Sequence, residues 1–380
     1  MANAQAPVVL TNDQFLQATK AKTTRIGTQA VADSNRMAFR LPQAGMANTL
    51  FMYLTGTITV GGTITGGTIS SHGILDIIKR MRLQSTSAFN LRDMSGWAWY
   101  KWLRGRQGYD PLTGLNGSLF STNSIAALGL NRTSSNLVPG ANVAAGTYTV
   151  NLALPMPVSY NDSGETGLLI LQNNAQFYDF WLDFGMITSG VNASTSWTND
   201  LFTGVTGSGM SVSMALTASL GMEYYEIPNA NLGKMTGMFM SVNNVTTSPL
   251  LAGENIIRPP LSDLYTYVQH EVINNALPVP VLSFSNLTWQ HSGNVIDHQD
   301  DYVTRMLLNT YKKSGLPPID GTIEYDLGIR RGQYLRRDTY DAFDDRNVTD
   351  LLTKFTLPST TTITNGYIDS VYESLRFIQQ

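Results

Sequence analysis

Apolar and polar side chains alternate with a period of two through most of this chain. Met37, Phe39 and Leu41 alternate with Ala38 and Arg40, and Leu50, Met52 and Leu54 with Phe51 and Tyr53. Tyr148, Val150, Leu152 and Leu154 share a face opposite Thr149, Asn151 and Ala153 up to Pro155, and Tyr178, Phe180, Leu182 and Phe184 repeat the pattern. The longest run sets Val212, Met214, Leu216, Ala218 and Leu220 against Ser211, Ser213, Thr217 and Ser219. Successive side chains of a strand point to opposite faces, so each run predicts a strand with one face in a core and one outside. The Asn365-Gly366 dipeptide, a preferred two-residue turn, predicts a closing hairpin, and the Gly/Ser/Asn-rich stretches at about 112–146 and 186–210 predict long outward loops.

Two segments break the alternation with helical patterns, Asp93–Gln107 and Asp300–Ser314, whose first residues lie 207 positions apart. Each opens on an aspartate suited to capping and to the positive end of the helix dipole. Each ends in cations, Arg104 and Arg106 in one, Lys312 and Lys313 in the other. Each stops at a glycine, Gly108 or Gly315, and there the pattern G-x-x-P-[LI]-x-G recurs at identical spacing. The sequence therefore predicts two copies of one fold, each a β-sandwich with a helix inserted between strands. The divisions expected are an N-terminal arm at 1–34, a first sandwich at 35–228, a linker at 229–251 and a second sandwich at 252–380. Trp97, Trp99, Trp102, Met306 and Leu307 are the expected core contacts of the two helices.

Composition narrows the classes. At 380 residues the chain exceeds what one core usually serves. Only 14% of residues are charged, which implies surface meant to be covered by a partner, and self-association is one such cover. A net charge of -3 argues against direct genome binding, and the absence of cysteine excludes disulfides and thiolate sites. No run approaches the length of apolar sequence that crosses a bilayer, so a soluble product is expected.

Catalytic signatures are missing: there is no phosphate-binding glycine loop, H-E-x-x-H or G-x-S-x-G, and no catalytic residue or cofactor is expected. His291 and His298 lie near Asp297, Asp300 and Asp301, but the spacing fits no standard metal site and none is expected. Arg330, Arg331, Arg336 and Arg337 precede Asp338, Asp341, Asp344 and Asp345; blocks of opposite sign suit register between neighbouring subunits. The rival reading is a carbohydrate-binding β-sandwich, a lectin or receptor-binding spike, since Phe177, Asp179, Trp181 and Asp183 alternate onto one strand face. Asp179 and Asp183 would stand about 13 Å apart, too far for a glycosidase pair.

Over Ile77 to Gly108, where the strand IIKRMRL and a polar turn lead into Ser95-Gly96-Trp97 and a basic-ended helix, the chain resembles the double jelly-roll major capsid proteins of tailless, membrane-containing icosahedral viruses, in particular the tectivirus type found among bacteriophages. Weaker similarity runs through MEYYEI and around Asn309 to Gly332. The resemblance implies an all-β fold of two tandem jelly rolls, each with a flanking helix, after a short arm. It implies a homotrimer forming a pseudo-hexagonal capsomer, neighbouring trimers tiling an icosahedral shell over an inner viral membrane, minor capsid and vertex proteins as partners, synthesis in the host cytoplasm and residence in the virion. In that family the arm lies beneath the capsomer, near the membrane or a neighbouring trimer, and Lys20, Lys22 and Arg25 would there meet anionic headgroups or the next capsomer.

Overall fold

The computed structural model describes residues 19, 21–86, 90–107, 137, 140–160, 169–171, 177–189, 191–192, 196–226, 238–247, 249–261, 264–280, 283–293, 295–312, 319, 321–328, 342–345 and 348–377. In chain order the elements of the first half are β1 (Ala21–Ala30), β2 (Arg36–Arg40), β3 (Met46–Ile69), β4 (Ile78–Ser85), β5 (Asn90–Met94), α1 (Gly96–Gln107), β6 (Gly146–Pro157), β7 (Leu169–Ile170), β8 (Tyr178–Phe184), β9 (Val191–Asn192), β10 (Ser196–Trp197) and β11 (Phe202–Tyr225). The second half holds β12 (Met238–Thr247), β13 (Gly253–Ile257), β14 (Leu264–Asn274), β15 (Leu277–Pro278), β16 (Ser285–His291), β17 (Val295–Asp300), α2 (Tyr302–Lys312), β18 (Thr322–Asp326), β19 (Phe343–Asp344), β20 (Leu351–Leu357) and β21 (Tyr367–Phe377).

The halves are one pairing scheme used twice. In the first, β1 pairs with β11, β11 with β3 and β3 with β6, while β2 pairs with β8, β8 with β4 and β4 with β5. In the second, β12 pairs with β21, β21 with β14 and β14 with β18, while β13 pairs with β20, β20 with β16 and β16 with β17. Each helix occupies the same slot, α1 between β5 and β6 and α2 between β17 and β18. The duplication expected from the two helices thus extends to every principal strand, and the fold is two tandem jelly-roll sandwiches.

Each sandwich has its own core. One gathers Met37, Phe39, Leu50, Leu54, Leu152, Phe180 and Leu220, the other Val268, Leu287, Trp289, Phe355 and Ile368, as the alternation requires. A short parallel pairing of Val242 and Asn243 with Arg92 and Asp93 fuses a sheet of each half into one ten-stranded sheet. β14 is buried on both faces, between its own core and the first sandwich.

Several expectations shift. Residues 21–30, placed in the arm, form β1 along β11; residues 1–18 and Lys20 lie outside the described residues. The expected linker 229–251 contains β12, whose ten residues pair with β21. The stretch 186–210 contains β9, β10 and the start of β11 rather than loop alone; of 112–146, only 137 and 140–146 are described. β3 and β11 are 24 residues each, and their mutual pairing continues through register shifts at Thr206/Gly207 and Ser208/Ser211. At Gly56, φ is +138° and an added Cβ would lie 1.9 Å from the Ala215 carbonyl oxygen. Pro155 does not end β6, which runs to Pro157; β6 is a sheet edge, where a missing N–H is tolerated. Asn365-Gly366 makes no hairpin: β20 and β21 belong to different sheets, and only Asn365 of the pair has positive φ (47°). The helix caps are Ser95 and Asp301, not Asp93 and Asp300: Ala98 N–H donates to Ser95 Oγ (3.1 Å) and Thr304 N–H to Asp301 Oδ1 (2.8 Å).

Candidate functional site: the junction between the rolls

The first roll touches the second through α1. One face of this helix packs Trp99 and Leu103 into the first core, both 0% exposed. The other face lies on β14 and β21. Trp97 Nε1 donates to Glu271 Oε2 (2.8 Å), and Trp102 Nε1 donates to Glu373 Oε2 (2.7 Å). Lys101, 0% exposed, bridges Glu271 at 2.6 Å and Asp369 at 2.8 Å. Arg106 pairs with Glu373 (3.0 Å) and donates to the Tyr160 carbonyl (2.5 Å). Arg92, also fully buried, donates to the carbonyls of Pro157 (2.8 Å) and Met240, tying the first roll to β12. The close approach depends on Gly105, where a Cβ would stand 1.8 Å from the Tyr267 hydroxyl.

Burial works against every charge here, and the geometry answers it differently at each. For Lys101 burial favours the neutral amine, but Asp369 and Glu271 outweigh it and hold its pKa above the ordinary lysine value. Among the described residues Arg92 meets only carbonyl acceptors; burial pulls it down to about 9, against the attraction of Glu373. His270 lies beneath, between Ser370 Oγ (2.8 Å) and Thr353 Oγ1 (2.9 Å), and burial, then the Lys101 charge, pushes it down to about 3.

The expected core residues divide. Trp99 and Trp102 are buried, Trp97 is half-buried and stacked on His72 at 4.1 Å, and Met306 packs partly buried on the second core. Leu307 is a correction: it is 59% exposed, because α2 turns Tyr302, Arg305 and Asn309 inward and leaves Val303, Leu307 and Leu308 outside. Lys22 sits on β1, paired with Glu226 at 2.5 Å, and Arg25 donates to Thr28, so neither belongs to a free arm. Asp344 lies in β19 and Asp345 is buried, which removes Asp345 from an open charged face; Arg330, Arg331, Arg336, Arg337, Asp338 and Asp341 lie outside the described residues. His291 contacts Asp297 at 3.4 Å and His298 tilts over Tyr325; no cluster of metal-ligating residues occurs among the described residues.

The strand face that suggested sugar binding is an ionic ladder. Arg40 grips both oxygens of Asp179 (2.9 and 3.1 Å) and Arg36 both oxygens of Asp183 (2.5 and 3.0 Å), with Arg36 over Trp181. Both carboxylates are occupied by their own strand neighbours. The buried pairs of α1 escaped the sequence reading, because Lys101 looks like a solvated helix position and its partners lie 170 and 268 residues away.

No family model and no curated protein matches the sequence. Solved structures match over nearly its whole length. The crystal structure of the STIV MCP, from Sulfolobus Turreted Icosahedral Virus, aligns with a TM-score of 0.66 at 12% identity, covering 94% of this chain and 97% of that one. The PBCV-1 virus capsid aligns at 0.58 and 8% identity (94% and 93% covered), and the Faustovirus major capsid protein at 0.55 and 8% (100% and 92%). The chain has the double jelly-roll fold of viral major capsid proteins.

Proposed function

We propose that this chain is the major capsid protein of an icosahedral virus, a structural protein and not an enzyme. It assembles as homotrimers that form pseudo-hexagonal capsomers and tile a shell over an internal membrane. The observation that carries the reading is the length of the match: both rolls align with viral capsid proteins over 94% or more of this chain, with little sequence left for another activity. A surface of low charge density carrying exposed Phe51, Tyr53, Leu307 and Leu308 supports it, because free monomers seldom leave such groups uncovered. The carbohydrate-binding alternative loses its two carboxylates to Arg36 and Arg40.

Further parts of the reading extend the family resemblance. Production in the host cytoplasm precedes incorporation into the virion. Minor capsid and vertex proteins are the other partners, and the opposed charges of Arg330, Arg331, Arg336 and Arg337 against Asp338, Asp341 and Asp344 set register between subunits. The segment before β1, with Lys20, faces anionic lipid, where each cation contributes about 1 kcal/mol. Since β1 belongs to the sheet, the informative deletion is residues 1–18. It is expected to change capsid-to-membrane spacing in electron micrographs, and unchanged spacing removes the membrane role. For the main reading, purified protein is expected to elute near three times its 41.6 kDa mass and to show hexagonal outlines in negative stain. A persistent monomer that binds a glycan would overturn it.

A further inference from the structure

Among the described residues the buried cations are Arg92, Lys101, Arg106 and Arg305. Three of them end in a guanidinium, which keeps its proton at neutral pH. Lys101 alone ends in an amine, a nucleophile once it gives a proton up. Its side chain is 0% exposed and lies against those of Glu271, also 0%, and Asp369, 11%. An amine is thus held against two carboxyl groups where water does not reach.

The hydrogen bonds distinguish the two oxygens of Asp369. Oδ1 accepts from Asn244 Nδ2 (2.7 Å) and Thr246 Oγ1 (3.2 Å), two donors aimed where negative charge grows when a carboxyl carbon is attacked. Oδ2 accepts from Lys101 Nζ (2.8 Å) and so lies beside a source of protons. Glu271 Oε2 accepts from the same Nζ (2.6 Å) and is fixed there by Trp97 Nε1 (2.8 Å). Glu271 Oε1 is buried and has no hydrogen-bond partner among the described residues, which leaves this carboxylate with capacity to take a proton. Nucleophile, carboxyl group, base and oxyanion donors therefore meet at one point.

We infer that Lys101 and Asp369 condense to a side-chain amide, an isopeptide bond between α1 of the first roll and β21 of the second, with Glu271 as the catalytic base. The ion pair described above is the unreacted state. A proton passes from Nζ to Asp369 Oδ2 along their hydrogen bond, giving an amine beside a carboxylic acid. Nζ then attacks Cγ while Glu271 takes a second amine proton, and Oδ1 carries the negative charge between Asn244 and Thr246. Glu271 returns its proton to the departing Oδ2 hydroxyl, the Cγ–Oδ2 bond breaks and one water leaves. Nothing is oxidised or reduced, and Glu271 ends as the carboxylate it was. Of the three charges only that of Glu271 remains, accepting from Trp97 and from the new amide N–H. Removing buried charge and holding the reactants in contact both favour the bond. The two carboxylates that keep Lys101 protonated oppose the first step, so the bond forms slowly after folding. It joins residues 268 positions apart and prevents the rolls from separating.

The bond lies within one chain, so its test does not depend on whether copies assemble. Purified full-length protein, incubated folded at neutral pH and then denatured, is expected to be lighter by the mass of one water in intact-mass spectrometry. Trypsin does not cut after an acylated lysine, so Asp93–Arg104 is expected to survive digestion whole and joined to Phe355–Arg376. On a denaturing gel the wild type, closed into a loop, is expected to run ahead of Lys101→Met. Glu271→Gln keeps the amine and Asp369 and removes the base. It is expected to slow linking at least about a hundredfold, with a thermal melt verifying that the variant is folded. Folded wild-type protein that keeps its full mass and releases the free peptide Asp93–Lys101 overturns the inference, whatever the variants do. Linking at an unchanged rate in folded Glu271→Gln overturns the assignment of Glu271 as the base.

Discussion

Lys101 is a cation without access to water, held by two carboxylates that lie 170 and 268 residues further along the chain. Removing it leaves Glu271 and Asp369 buried and uncompensated, which costs more than the pair itself contributes. Lys101→Met is therefore expected to lower unfolding stability by about 3–5 kcal/mol in urea titrations, and combining it with Glu271→Gln and Asp369→Asn is expected to recover a large part. His270 makes a separate, pH-dependent prediction. Burial and Lys101 hold it down to about 3, below the ordinary value near 6.5 that the unfolded chain keeps. Above about pH 6.5 neither state binds the proton. Between about 6.5 and 3 the unfolded chain binds it and the fold does not, so stability falls on acidification by up to about 1.4 kcal/mol per pH unit from this group. Asp33 also loses stability in acid. Burial alone would raise its pKa, but hydrogen bonds from Ser189, Thr188 and Ile187 hold it at about 2, so its share disappears only below its unfolded value near 3.8. The window between pH 6 and 4.5 therefore isolates His270. His270→Gln is expected to flatten the stability profile there, and an unchanged slope in pH-dependent melts would assign the acid limb to other groups.

Among the elements, α1 shows what a sequence can and cannot reveal. Its tryptophans, basic end and closing glycine announced a helix and its burial, because those signals are local. Its function as a joint was hidden: Glu271, Asp369 and Glu373 sit far along the chain in strands with no local sign of a helix partner, and only the fold brings them under the helix. β14 was equally opaque, since LYTYVQHEVIN is buried on both faces and carries no clean alternation. The duplication was visible in the helices and invisible in the strands, whose pairing is recoverable only from hydrogen bonds. Leu307 was placed in the core because an apolar residue on a helix was assigned to that helix's own roll. Gly105 offers an element-level test. Alanine at an interior helix position normally adds about 0.5–1 kcal/mol over glycine. Here the added Cβ would meet the Tyr267 hydroxyl at 1.8 Å and push α1 off β14. Gly105→Ala is expected to destabilise by about 1–3 kcal/mol in chemical denaturation, reversing the usual sign.

At the scale of the whole molecule the two rolls have separate hydrophobic centres yet are not independent. The first core counts Tyr267, Val371 and Leu375 among its members, all from strands of the second roll, and the ten-stranded sheet passes through both by way of Arg92 and Val242. Unfolding the second roll alone would expose that part of the first core, leave Lys101 and Trp102 without acceptors and take from Arg106 its carboxylate. Loss of either roll thus removes support from the other, which is the condition for all-or-none behaviour in a chain long enough to unfold in stages. The wild-type chain is expected to melt in one calorimetric transition whose measured enthalpy equals the van't Hoff value. Glu373 is where that coupling concentrates, since it accepts from Trp102, Arg106 and Thr266 together. Glu373→Ala leaves the apolar side chains of both centres in place and removes these acceptors, so its melt should separate into two transitions with the second roll, the smaller core, unfolding first. A single sharp transition in this variant would mean that the shared sheet and the Tyr267, Val371 and Leu375 contacts couple the rolls without the ionic joint.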